Sequence, residues 1–161
     1  MRYAQLFFMA ILPLGRLAAQ APSATAETRQ AHVVTPDQLN WGPAPAILPA
    51  GARLAVLEGD PSKAGPYTMR LSMPAGYRIP PHFHEADEHV TVISGALQVG
   101  MGDTFEEGKL TALSPGTFGV IPPGIRHFAR ADKATVIQLH GVGPWGLTYV
   151  NPADQPKSPT K

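Results

Sequence analysis

The 161-residue sequence contains no cysteine. That excludes disulfides, thiolate metal sites, cysteine nucleophiles and cysteine-linked lipids. Any bound metal must be held by histidine, carboxylate or backbone oxygen. Charge is also scarce, at 16% of residues, and Lys plus Arg (13) against Asp plus Glu (12) leaves a net charge of +1. Without a basic excess or a Lys/Arg block there is no electrostatic footprint for nucleic acid and no basic membrane-surface patch. No apolar run reaches the roughly 18 residues that a membrane-spanning helix needs. A small domain without disulfides must stand on packing, a metal or oligomerisation.

Glycine (16) and proline (18) are in excess. Together they take about a fifth of the chain, against an average of roughly 12%. This means many turns and few long helices. Hydrophobic residues, at 43%, can supply one core.

The first twenty residues have the form of an address. Arg2 is followed by the apolar run Leu6–Leu14, and small residues follow at Ala18, Ala19 and Ala21. This is the tripartite pattern of a secretory signal. Cleavage is expected after Ala19, or as late as Ala26, and would remove Arg2 and Arg16. The mature protein is then expected in the periplasm or secreted from a bacterium, with no membrane contact after cleavage. Residues 20–50 read as a leader and N-terminal arm. Within the arm, Thr35-Pro36-Asp37-Gln38 opens one short helical turn that Gly42-Pro43-Ala44-Pro45 cannot continue. Trp41 needs cover, so the arm is expected to lie across a sheet or a neighbouring subunit.

From residue 51 to 150 the sequence reads as one all-β domain. Tyr67, Met69, Leu71 and Met73 alternate with Thr68, Arg70 and Ser72, the period of a half-buried strand. Further strands are expected at 54–57, 77–84, 88–94, 96–101, 109–113, 117–121, 125–130, 134–140 and 146–150. Short strands at this spacing, with Gly/Pro turns between them, indicate a sandwich or barrel. Residues 151–161, with three prolines, read as a loose tail.

Three of the six histidines fall within His82-Phe83-His84-Glu85-Ala86-Asp87-Glu88-His89. On a strand, residues two apart point the same way, so His82 and His84 share a face. Glu88 begins the next strand and can return a carboxylate to that space. His127 starts another strand behind Pro122-Pro123-Gly124. Three neutral imidazoles and one carboxylate suit one divalent transition metal ion, namely Fe, Mn, Zn, Ni, Co or Cu, rather than Ca or Mg. A hydrolase-like His-x-His-x-Asp-His pattern is absent, because Ala86 stands where its Asp is needed. His89 should face the other side of its strand. His140, Gln138 and Arg78 are further pocket candidates, while Tyr77, Phe83, Phe118 and Phe128 read as core.

The frame around these ligands resembles the cupin superfamily. Gly76, five residues, His82-Phe83-His84, three residues, Glu88, six residues and Gly95 fit its first motif. Gly116, five residues, Pro122-Pro123-Gly124, two residues and His127 fit its second, with Ala131 in place of a final turn Asn. The resemblance implies a single-domain jelly-roll β-barrel with metal on His82, His84, Glu88 and His127. It also implies pairing into a homodimer, for which the arm offers a cover. Oxygenase, isomerase and lyase chemistries all occur on such sites. The expected function is therefore a metal-dependent enzyme acting on a small organic molecule. The alternative is a non-catalytic periplasmic protein that binds metal or a small ligand. A polar, substrate-sized pocket beside the metal favours the first; a filled apolar barrel around a closed site favours the second.

Overall fold

The computed structural model describes residues 30–157. The expected signal segment lies outside them. Eleven strands occur among the described residues: β1 (Gly42–Pro43), β2 (Arg53–Glu58), β3 (Gly65–Met73), β4 (Tyr77–Phe83), β5 (Glu88–Ser94), β6 (Leu97–Met101), β7 (Thr111–Leu113), β8 (Phe118–Ile121), β9 (His127–Ala131), β10 (Thr135–Gly143) and β11 (Thr148–Tyr149). They form two antiparallel sheets, ordered β1-β2-β3-β10-β5-β8 and β11-β4-β9-β6-β7. This is the jelly-roll architecture of a cupin, as the motifs imply.

Period-two patterning explains the layering. On β3, Tyr67, Met69, Leu71 and Met73 are buried while Thr68, Arg70 and Ser72 are half-exposed. The opposing strand β10 turns Ile137 and Leu139 into the same core. Burying each such aliphatic side chain is worth about 1.5–3 kcal/mol, so a one-residue slip of register would forfeit much of the core. Phe128 faces the other side of β9, fully buried under Phe105 and directly against Gly100 across the β6–β9 ladder. A Cβ on Gly100 would lie 2.3 Å from the Phe128 ring, so only glycine admits that ring.

The arm packs on its own barrel. β1 pairs with β2 and covers that sheet edge, and Leu48 is buried in the core. Two buried tyrosines fasten it: Tyr77 donates its hydroxyl to the Pro49 carbonyl (2.6 Å) and Tyr149 to the Ile47 carbonyl (2.8 Å).

Local differences from the expected elements have simple causes. The strand expected at 109–113 starts at Thr111, because Glu107–Lys109 forms a 3-10 turn closed by Lys109 on Glu106 (2.7 Å). The tail begins with another 3-10 turn, Pro152–Asp154, capped by the Asn151 side chain on the Ala153 amide (3.1 Å). Its first residues are thus tied rather than loose.

Candidate metal centre

The antiparallel pairing of β4 with β9 sets His82 directly opposite His127, with ring centroids 4.1 Å apart. His84 follows one residue beyond β4, and Glu88 opens β5. The structure brings all four sequence-derived candidates together. Ligand nitrogens of His82, His84 and His127 lie within 4.8 Å of one another. Glu88 Oε2 is 3.4 Å from His84 Nε2 and 3.3 Å from His127 Nε2. All four residues are buried, none more than 9% exposed.

The rings are fixed from behind by backbone. His82 Nδ1 donates to the Pro80 carbonyl (2.8 Å), His84 Nδ1 to Gly146 (2.6 Å) and His127 Nδ1 to Ile125 (3.0 Å). A carbonyl only accepts, so each Nδ1 carries a proton, and each ring, when neutral, presents its Nε2 lone pair. Such outer hydrogen bonds are what orient metal-ligating imidazoles. Among the described residues the buried Nε2 of His84 makes no hydrogen bond and has only Glu88 Oε2 at 3.4 Å, a costly arrangement unless something else fills its lone pair. A divalent transition metal fits that requirement and this donor set.

Burial also dictates the charge states. Desolvation, aided by the adjacent His127, pushes the His82 pKa down to about 3. For His84, burial pulls the same way, but the Glu88 carboxylate outweighs it and raises the pKa. Burial alone would raise Glu88; the His127 and His84 imidazoles beside it hold it well below the usual carboxylate range.

A cavity of about 530 Å³ opens against His82, Glu88 and His127. Its walls are mostly aliphatic, with Met73, Ile79, Val92 and Ile137 among them. It is bounded by the outer strands of the two sheets, through Thr111 and Leu113 of β7 and Gly119 and Ile121 of β8. The pocket is therefore substrate-sized, but apolar rather than polar. Lys109 is the one cation among its lining residues, and its ammonium is held by Glu106.

The secondary candidates fall elsewhere. His89 faces outward, stacked on His140 (4.8 Å between centroids) and near Phe118. His140 therefore does not line the cavity, and Gln138 on the same outer face accepts from Arg70 (3.2 Å). Arg78 is also outside: a register shift between Ile79 and His82 breaks the parity, and its guanidinium pairs with Glu107 (2.8 Å). Phe118 is not core; it is 55% exposed on an outer strand. The three anchoring carbonyls had no sequence signal, because every residue carries one.

A model of the ChrR cupin-like domain matches residues 29–145. No curated protein matches the chain. Among solved structures, the fold is similar to a candidate acetylacetone dioxygenase from Methylibium petroleiphilum PM1, at 22% identity over 83% of this chain and 90% of that one, with TM-score 0.61. It is similar to the acetylacetone dioxygenase from Acinetobacter johnsonii, at 17% identity, 86% and 90% coverage and TM-score 0.63. The polyketide cyclase RemF from Streptomyces resistomycificus is also similar, at 17% identity, 79% and 90% coverage and TM-score 0.64. At these identities the likeness is one of fold.

Proposed function

The chain belongs to the ChrR cupin-like family, and on that premise we propose that it is an exported metal-dependent enzyme that acts on a small, largely apolar organic molecule. One observation carries this reading. Three imidazoles with their Nε2 lone pairs set free by backbone bonds converge, and two of them, His82 and His127, join Glu88 in the wall of a 530 Å³ apolar cavity.

In this reading His82, His84, Glu88 and His127 hold one divalent transition metal. When bound, such a metal supplies Lewis acidity or redox chemistry toward an oxygen-bearing substrate. The protein's share is binding and orientation. The aliphatic walls take up the hydrocarbon body and exclude water, which leaves a polar head to face the cluster. The backbone carbonyls keep the three rings from turning, so the centre needs no rearrangement when substrate arrives. Acetylacetone dioxygenases among the similar folds suggest a two-oxygen head such as a β-diketone. Export rests on the Arg2 and Leu6–Leu14 pattern. Pairing into a homodimer rests on the outer sheet face, where Phe118 and Val142 are exposed.

The test is turnover. Metal-loaded protein is screened with diketones, phenolics and hydroxy acids, followed by oxygen uptake and by product analysis. The reading expects consumption of at least one apolar substrate and none by Glu88→Ala. Tight metal binding with no turnover of any class would promote a binding protein instead.

A further inference from the structure

Among the described residues, two cavities reach the cluster. Besides the apolar cavity, a second of about 280 Å³ touches it through His84 and Glu88. The two differ in charge. Among the described residues the larger carries one carboxylate, Glu88, together with Lys109. The smaller is lined by Glu85, Asp87 and Glu88 and, among the described residues, by no Lys or Arg. Glu85 and Asp87 are exposed, while Glu88 is buried. Behind the two exposed acids lies His84, 5% exposed, with its Nε2 unpartnered among the described residues. Trp145 also lines this cavity, and its buried indole N–H has no acceptor among the described residues. Buried donors of that kind are commonly met by water, and the smaller cavity has the room and the polar lining to hold it.

We propose that the smaller cavity is the route by which the metal ion enters and leaves. Glu85 and Asp87 capture the hydrated divalent cation, and His84 is the first imidazole it meets. The larger cavity is left to the organic molecule. This rests on the reading of the four side chains as a metal centre. The physical ground is desolvation. Moving an ion from water to a dry interior strips its hydration, and an aliphatic wall offers nothing in return. Along the acidic passage, carboxylate oxygens and then imidazole replace the ion's water one ligand at a time. Carboxylates clustered at a cleft also raise the local cation concentration and the on-rate, by about 10–1,000-fold in favourable cases.

The experiment measures the rates of Zn²⁺ uptake by metal-free full-length protein and of its release to a chelator, with affinity from chelator competition. Glu85→Gln with Asp87→Asn should slow uptake about tenfold at roughly 0.01 M salt, and the difference should vanish near 1 M, where charge is screened within about 3 Å. Ala86→Trp, which plugs the smaller cavity, should slow uptake and release by the same factor and leave their ratio unchanged. Thr111→Trp, which plugs the larger cavity, should alter neither rate. Uptake unaffected by the first two variants, or slowed only by Thr111→Trp, overturns the proposal while leaving the metal centre standing. A wild-type protein that takes up no Zn²⁺ contradicts the metal centre itself, and the route with it.

Discussion

His84 Nδ1 donates to the carbonyl of Gly146, 2.6 Å away and 62 residues further along the chain. With the ties of His82 to Pro80 and His127 to Ile125, it fixes all three imidazoles in the tautomer that presents Nε2 to the centre. The segment before β11 is therefore part of the site's geometry, although none of its side chains is a candidate ligand.

Alanine at His82, His84 or His127 should each weaken metal binding by at least the about 10–100-fold that loss of an outer hydrogen-bond partner costs. His89→Ala and His140→Ala should leave affinity unchanged, because these rings stack on each other outside the barrel. Chelator competition on purified variants measures this. Equal loss at His89 would mean that the opposite face of β5 carries the centre.

Acid should destabilise the metal-free protein. Burial holds His82 neutral down to about pH 3, against an ordinary value of 6.5. Between those values the unfolded chain binds a proton that the folded chain refuses. Stability therefore rises with pH across that window and is lost as pH falls from 6.5 toward 3. Glu88, held below its ordinary 4.5, adds to the loss at the acid end. His84 has the opposite sign, since its raised pKa favours the fold around and below neutrality. Urea midpoints against pH should fall through this range, and His82→Gln should flatten the slope.

Ligand affinity should track apolar size. Each methylene placed in the cavity is worth about 0.8 kcal/mol, or roughly fourfold in affinity. A homologous series of alkyl-substituted diketones should gain accordingly until the 530 Å³ are filled, and then lose. Calorimetric titration of the metal-loaded protein measures it. A flat series would show that ligands do not enter this cavity.

Gly95→Ala should destabilise the fold by about 1–3 kcal/mol or more. Gly95 has φ of +90°, and a Cβ there would sit 2.4 Å from the Ala134 carbonyl oxygen. Chemical denaturation measures the change.

The four-residue cluster was legible because the sequence carries both its spacing and its alternation. His82 and His84 are two apart, Glu88 follows them after a three-residue connection, and Pro122-Pro123-Gly124 marks the turn that leads into β9 and His127. The strand pattern was legible for the same reason at β3, where polar and apolar residues alternate without a break. Arg78 was misplaced because parity counting fails across the irregularity at Pro80-Pro81, where the ladder shifts register. His140 was ambiguous because parity says which residues share a face but not which face looks inward. Only the pairing of His140 with His89 across β10 and β5 decides that. The second cavity had no sequence signal, since Tyr67, residues 83–88 and residues 142–148 meet only through the fold.

The central claim is that a metal on these four side chains takes an oxygen ligand from the apolar cavity. The most direct test is the visible spectrum of the Co²⁺-loaded protein titrated with a β-diketone. The account predicts a saturable spectral change with one ligand per metal, absent from metal-free protein and weakened by Ile79→Trp, which fills the cavity. A Co²⁺ spectrum that does not move at saturating diketone would contradict it.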